Sequence, residues 1–283
     1  MADRSVRIRV GAGAQGIERL EACLHGQAFS AHRHDTYAIG ITLSGVQRFH
    51  FRGALWHCLP GQCHILHPDE VHDGFAGTGE GFSYRIVHIE PSLIQHALRG
   101  KPLPFVAQPV ADAARLPKGC AREIWNIDDR LDEIARVDLV VTIVGLLHSL
   151  ATASKPAPSL ALDRVSRVRD LIAACPAARH SMDELERVCG LDRWTLARQF
   201  RIAFGTSPTR FRTLRQLDHA RSVITRGQGL VDAALHAGFA DQSHMTRQFK
   251  RAYGLTPAQW AASLVSPESV RASMARTTAA MSA

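Results

Sequence analysis

Long apolar runs are missing from this 283-residue sequence. The most apolar stretch, residues 137–150, is shorter than the roughly 20 residues that cross a bilayer, and it contains Asp138 and His148. Nothing at the N-terminus resembles a signal peptide. We therefore expect a cytoplasmic protein with no membrane span.

Cysteine is scarce and irregularly spaced. The six cysteines form neither a CxxC pair nor a zinc-finger pattern. We interpret them as reduced thiols, with a redox pair of Cys58 and Cys63 as the alternative. No spacing of a nucleophile and a general base stands out, which disfavours an enzyme.

Positive charge is concentrated in one part of the chain. Residues 160–265 contain 16 Arg and Lys against 9 Asp and Glu, whereas residues 1–159 contain 16 of each. A basic module joined to a neutral one is what phosphate binding requires. The length favours two domains, and the charge predicts that the C-terminal one binds nucleic acid.

A sequence that occurs twice organises the basic part. Its copies are residues 189–208 and 237–257, and both contain Arg-Gln-Phe, an aromatic residue followed by Gly, and a final Pro. Such a repeat indicates one supersecondary unit used twice. Each copy predicts two helices around a glycine turn, at Gly190 and at Gly238, which is the helix-turn-helix pattern.

Local signals mark the helices of the first copy. Ser181 and Asp192 are suited to cap the two helices, because a short polar side chain can accept hydrogen bonds from the first backbone amides. Leu196 and Phe200 follow the second cap at helical spacing. Gly205 is expected to end that helix.

These residues resemble the AraC/XylS family of bacterial transcription regulators. The second copy reads GF-x-DQSH-x-x-RQFK-x-x-x-G-x-TP, which is close to that family's signature, and the resemblance spans about residues 165–260. It implies two helix-turn-helix units joined by a long helix, here residues 208–224. It also implies recognition helices in successive major grooves of double-stranded promoter DNA, and activation through RNA polymerase.

The family pattern implies which residues contact DNA. The groove-facing positions of the two recognition helices are Arg193, Trp194, Ala197 and Arg198, and Gln242, Ser243, Thr246 and Arg247. Gln can pair with adenine and Arg with guanine through two hydrogen bonds. The alternative for Trp194 is a packing residue between helices. Phosphate or solvent contacts are expected from Arg201, Arg210, Arg212 and Lys250.

Residues 7–90 have the pattern of short strands broken by glycine and proline. Strands are predicted at residues 37–43, 46–51, 64–66 and 84–89. Several short strands at such spacing favour a sandwich or barrel. The pattern resembles the cupin-like sensor domain of many AraC-family members, on the basis of His32-x-His34, Gly45, Pro60-Gly61 and Pro68-x-x-x-His72.

The resemblance to cupins implies a candidate metal site at His32, His34 and His72. Three imidazoles suit Zn, Ni, Cu or Fe. The Glu that cupins usually add after His-x-His is absent, so either Glu70 replaces it or the fourth position is open.

Two interpretations without metal also stay open. The three histidines can line an organic ligand pocket together with Arg48, Tyr84 and His88, or have no ligand role. Arg85 is a further candidate for the pocket. An inward-facing Arg would favour a carboxylate or phosphate effector.

A helical segment is predicted over residues 121–151, after a loop at residues 100–119. Related sensor domains dimerise through such helices, so we expect a homodimer, with packing inside one chain as the alternative. The predicted domains are residues 1–153 for effector binding and dimerisation and 161–265 for DNA binding. Residues 154–160 form the linker and 266–283 a flexible tail.

The predicted fold class is therefore an N-terminal cupin-like β-barrel with packed helices and a C-terminal all-α domain with two helix-turn-helix units. The predicted function is sequence-specific transcription regulation in response to a small effector. The alternatives are a metal-ion sensor, a cupin metalloenzyme fused to a DNA-binding tail, and a structural DNA-binding protein without sequence preference.

Overall fold

The computed structural model describes residues 6–112, 124–152 and 160–264. Parts of several predictions lie outside these residues: 113–119 of the loop, 121–123 of the helical segment, 154–159 of the linker and the tail 266–283. None of the helices in the described ranges is long and apolar enough to cross a membrane.

Antiparallel strands build the N-terminal domain. Their bounds are β1 Val6–Val10, β2 Ile17–Leu24, β3 Gln27–His32, β4 Tyr37–Gly45, β5 Gln47–Phe51, β6 Ala54–Cys58, β7 Gln62–Leu66, β8 His72–Ala76, β9 Phe82–Ile89 and β10 Val110–Asp112. One sheet has the order β1-β2-β9-β4-β7-β10 and the other β3-β8-β5-β6. The strand predictions are confirmed, but the loop predicted over residues 100–119 contains β10, which pairs with β7.

The larger sheet is buried on both faces. Ile39 and Val87 pack on two helices, α1 (Pro91–Leu98) and α2 (Glu133–Leu150). Residues of opposite parity, such as Ala38 and Ile86, face the barrel interior. Burial on both faces explains why β4 is apolar almost throughout.

The helical segment predicted over residues 121–151 is interrupted. The chain is not helical from residue 126 to 132, and α2 begins after Asp132, whose side chain accepts from the Ala135 amide. The buried Arg19 guanidinium donates to the carbonyl groups of Asn126 and Asp129. These carbonyls would be occupied within a helix, so the break satisfies a buried charge.

Helices build the C-terminal domain. Their bounds are α3 Leu162–Ala174, α4 Met182–Cys189, α5 Arg193–Phe204, α6 Pro208–Thr225, α7 Leu230–His236, α8 Gln242–Tyr253 and α9 Pro257–Ser263. The helix-turn-helix units are α4–α5 and α7–α8, and α6 joins them. The predicted caps are confirmed: Ser181 accepts from the Glu184 amide, and Asp192 accepts from the amides of Trp194 and Thr195.

The two domains pack against each other: α5 contacts α1, and α6, α8 and α9 face the barrel. The open end of the barrel is covered by these helices, so its apolar interior is continuous with the core of the second helix-turn-helix unit. Ile8 of β1 forms a bridge with Leu264, just after α9. This docking positions a cavity between the domains.

Candidate effector cavity and DNA interface

The cavity between the two domains has a volume of about 530 Å³. The two sheets provide one wall, with apolar side chains such as Phe49, Leu66 and Ile86. The other wall includes Leu214 of α6 and Trp260 of α9. The volume is typical of a pocket for a small-molecule ligand, and a ligand there would contact both domains.

Three histidines meet inside this cavity. His32 ends β3 and lies opposite His72 of β8, and His34 follows two residues later. One ring nitrogen from each residue lies within 4.8 Å of the others. We call His32, His34 and His72 the histidine triad.

Backbone carbonyls determine the tautomers of the triad. The Nδ1 atoms of His32, His34 and His72 lie 2.8, 3.0 and 3.0 Å from the carbonyl oxygens of Ser30, Thr36 and Glu70. A carbonyl only accepts, so each Nδ1 carries the hydrogen and each Nε2 keeps its lone pair. Metal-ligating histidines have this arrangement.

Burial keeps the triad neutral. It lowers the pKa values of His32 and His34 well below 6.5, and that of His72 to about 4. His88 stands next to the triad, with its ring 4.8 Å from that of His34, and burial lowers its pKa to about 4. Neutral imidazoles can bind a metal without first losing a proton.

Glu70 does not serve as the substitute ligand that the sequence left open. Its carboxylate is paired with Arg52 at 2.6 Å, and only its backbone carbonyl contacts His72. Within the described residues, the triad is the one cluster of such side chains that could hold a metal ion.

Some of the predicted pocket residues line the cavity and others point away from it, because side chains alternate between the two faces of a strand. Tyr84 and His88 line the cavity, whereas Arg48 does not: its guanidinium lies over the Phe75 ring. Side chains alternate along a strand, so Gln47 and Phe49 face inward and Arg48 faces outward. Arg85 likewise bonds to Glu21 away from the cavity. The prediction of Arg48 as a pocket residue is therefore corrected.

Two arginines of α6 connect the cavity walls. Arg215 pairs with Asp35 at 3.0 Å, with Glu90 at 2.5 Å and with Asp218 at 3.1 Å. Arg221 pairs with Glu18 and lies over the Tyr253 and Trp260 rings. Sequence reasoning missed these residues, because an arginine on a helix of a basic domain carries no signal that it faces a partner domain.

The cavity carries an excess of negative charge. Its lining includes five carboxylates but only two guanidinium groups; the carboxylates are Glu18, Asp35, Asp73, Glu90 and Asp218. Burial raises the pKa of Asp35 to about 6 even though Arg215 lies beside it. An anionic occupant would face this negative field, so the lining favours a cationic or neutral one.

The thiol of Cys58 is poorly suited to redox chemistry. It is buried and donates to the Gln62 carbonyl. Burial raises its pKa to about 11, so little of the reactive thiolate is present at neutral pH. The redox alternative loses support.

The predicted base-reading side chains of α5 lie mostly at the surface. Trp194 is 79% exposed, which argues against packing between helices, and Arg198 is exposed as well. Ala197 is half-buried. Arg193 is bound to Asp183 and Glu186 at 2.9 and 3.1 Å, so DNA would compete with α4 for this side chain.

The corresponding residues of α8 also lie at the surface. Gln242, Ser243 and Arg247 are exposed, and Thr246 is half-buried. The candidate phosphate contacts Arg201 and Lys250 are exposed.

The structure gives two other predicted phosphate contacts internal partners. Arg210 pairs with Asp69 of the sensor domain at 2.6 Å. The Nε atom of Arg212 donates to the Pro176 carbonyl.

Both domains match known protein domains. Residues 14–136 match the model of the AraC-like ligand binding domain, and residues 185–263 match a helix-turn-helix domain. The chain belongs to the AraC/XylS family. It is therefore a DNA-binding transcription regulator with an N-terminal ligand-binding domain.

Several transcription regulators are similar to this chain. The HTH-type transcriptional regulator YbfI of Bacillus subtilis is 26% identical over 228 residues, which cover 77% of this chain and 82% of that protein. The virulence regulon transcriptional activator VirF of Yersinia enterocolitica is 30% identical over 79 residues, which cover 28% of this chain and 29% of that protein.

Solved structures show the same fold. A structure of ToxT from Vibrio cholerae superposes with a TM-score of 0.62 at 12% identity, over 93% of this chain and all of that one. A ToxT structure with a bound unsaturated fatty acid has a TM-score of 0.59, also at 12% identity, and covers 92% of this chain and 96% of that one. The likeness extends over both domains.

Proposed function

We propose that this AraC-family regulator binds its effector in the cavity between the two domains. The observation that carries the proposal is that α6, which joins the two helix-turn-helix units, forms part of the cavity wall. An effector there contacts both the sensor and the helix that spaces the DNA-reading units. Binding can then shift the equilibrium between their arrangements.

The effector class that we propose is a divalent transition metal, Zn, Ni, Cu or Fe, held by the Nε2 atoms of the histidine triad. The neutral imidazoles, their carbonyl-bound Nδ1 atoms and the negative lining support it. An organic molecule in the same cavity is the second candidate, and the mostly apolar walls favour it.

Metal content distinguishes these candidates. We expect untagged full-length protein to bind about one equivalent of metal, and His34→Ala and His72→Ala to weaken binding by more than about 100-fold, since loss of an outer partner alone costs 10- to 100-fold. His64→Ala is the matched control, because His64 is buried in the same cavity but outside the triad. If the wild-type protein contains no metal but is stabilised by an organic ligand, the histidine triad is part of the wall of an organic-ligand pocket.

Arg247 tests the DNA interface. We expect Arg247→Ala to cost about 1–3 kcal/mol on a duplex selected by the full-length protein, and much less on duplexes changed at the cognate base pair. Lys250→Ala, one turn further along α8, should weaken all duplexes equally and flatten the salt dependence. A uniform loss for Arg247→Ala, measured by titration of each duplex, would make this residue a phosphate contact.

We further propose a homodimer through α2. Ile134, Val137 and Val141 are 75%, 56% and 59% exposed and share one face of this helix. An apolar stripe at this spacing suits packing against a second copy. Sedimentation should show a dimer for the wild type and a monomer for Val137→Asp; an unchanged dimer would place the contact elsewhere.

Activation through RNA polymerase in the bacterial cytoplasm is proposed from the resemblance to activators such as VirF. Transcription in vitro with purified polymerase should rise from a bound promoter, and a fall would indicate a repressor. We infer that the cavity serves binding rather than catalysis, since the relatives of this protein are transcription regulators.

A further inference from the structure

The two recognition helices end at equivalent glycines of the repeat. Gly205 ends α5 and Gly254 ends α8, both with φ of 72°. Both turns rest on the sensor domain. One of the segments that they touch carries His32, and the other is hydrogen-bonded to His34.

Residues 30–33 hold the turn of the second unit. The backbone amide and the hydroxyl group of Ser30 donate to the Gly254 carbonyl at 3.2 and 2.8 Å, and the Arg33 amide donates to the Arg251 carbonyl at 3.1 Å. A Cβ atom at position 254 would lie 2.8 Å from Nδ1 of His32. The triad member His32 is thus in direct contact with the end of α8.

Residues 68–69 hold the turn of the first unit. A Cβ atom at Gly205 would lie 2.5 Å from Cβ of Pro68, and the Thr206 hydroxyl group donates to the Asp69 carboxylate at 3.3 Å. The same carboxylate pairs with Arg210 at the start of α6. The Asp69 amide donates to the His34 carbonyl at 2.6 Å, which ties this loop to the triad.

We infer that residues 30–33 and 68–69 act as a paired latch, through which occupancy of the triad controls how the two helix-turn-helix units are held. This inference rests on the proposed effector site. A tetrahedral metal with bonds of about 2.0–2.1 Å holds its nitrogens about 3.4 Å apart. The triad nitrogens lie within 4.8 Å of one another, so binding draws the segments together by up to about 1.4 Å. A shift of this size can be transmitted across the domain interface, because packed interfaces switch between discrete arrangements and do not deform continuously.

The two halves of the latch touch, since Asp69 also pairs with Arg33 at 3.4 Å and Arg210 donates to the Arg33 carbonyl at 2.5 Å, but different side chains hold the two turns. Asp69 has a φ of 61°, a left-handed conformation that Asn also adopts readily, so Asp69→Asn removes the charge without new backbone strain. Ser30→Ala removes only the hydroxyl bond to Gly254. Neither residue belongs to the triad.

Hydrogen exchange of the full-length protein with and without Zn²⁺ tests the inference. In the wild type we expect Zn²⁺ to change exchange at residues 205–210 and 251–256 by about fivefold or more, with α7 as the unchanged reference. Asp69→Asn should lose the response at 205–210 and keep most of it at 251–256, where the backbone bond from Arg33 to Arg251 remains. Ser30→Ala should reduce the response at 251–256 and leave that at 205–210 unchanged, while Zn²⁺ affinity stays within about threefold in both variants. A full response at 205–210 in Asp69→Asn, or equal loosening of both turns in either variant, would overturn the latch.

Failure of the metal site would be a separate result. If the wild type binds no Zn²⁺, the metal proposal is wrong, and the latch is judged on the ligand-free protein. Exchange in Asp69→Asn that becomes faster at residues 205–210 than at 251–256 would then support it, and unchanged exchange at 205–210 would contradict it.

Discussion

The free energy of unfolding is expected to fall steeply as the pH is lowered from about 7 to about 5 in the presence of a chelator. Burial lowers the pKa values of six histidines, which are His32, His34, His64, His67, His72 and His88. Below a pH of about 6.5 the unfolded chain binds protons that the folded chain does not. Stability is therefore undiminished above that pH and is lost below it, by at most about 1.4 kcal/mol per pH unit for each histidine.

Asp35 opposes this trend. Burial raises its pKa to about 6 from 3.8, so the folded chain holds this proton more tightly and its ionisation lowers stability as the pH rises between these values. The change in stability from this one carboxyl group is smaller than the combined change from the six imidazoles.

Urea unfolding at pH 8, 7, 6 and 5 measures the slope. His88→Gln should reduce it, and His57→Gln at an exposed position should not. A flat profile between pH 7 and 5 would mean that the buried histidines accept protons in the folded chain.

Arg215→Met is expected to destabilise the protein by about 3–5 kcal/mol at pH 7, the range for removing one partner of a buried ion pair. The side chains of Arg215 and Asp35 are only 15% and 6% exposed. Without Arg215, the carboxylates of Asp35, Glu90 and Asp218 would lie together with no guanidinium among them. The loss should show as a lower urea midpoint and a loosened domain interface.

A double variant separates charge from packing. Arg215→Met with Asp35→Asn should recover part of the loss, because it removes the most buried of the unpaired charges. Arg226→Met is the matched control on an exposed site just after α6 and should change stability by less than about 0.5 kcal/mol. A loss below about 1 kcal/mol for Arg215→Met would mean that water replaces the guanidinium.

The DNA-binding half was predictable because its signals are local. Ser181 and Asp192 cap helices within three residues of themselves, and the glycines that end those helices adopt the positive φ that the pattern requires. The repeat and the charge then indicated DNA binding. In the sensor domain, the predicted pocket residues Tyr84 and His88 lie four residues apart on one strand and therefore share a face, and both line the cavity.

The broken helix at residues 126–132 was not predictable in the same way. The spacing of Ile124 and Ile127 fits a helix, but the carbonyls there serve Arg19, more than 100 residues earlier in the chain. The prediction of Arg48 as a pocket residue was wrong because alternation along a strand shows which residues share a face. It does not show which of the two faces is turned to the cavity.

By itself, the sequence determined the two helix-turn-helix units, the strand-rich sensor domain and the histidines that its motif brings together. Only the tertiary structure decided what surrounds them: the cavity, its negative lining, and the contacts of the triad segments with Gly205 and Gly254. Arg215 and Asp35 are 180 residues apart in the chain. The physical reason is that helix caps and strand alternation act over a few residues, whereas docking of one domain on another depends on surfaces that no local pattern records.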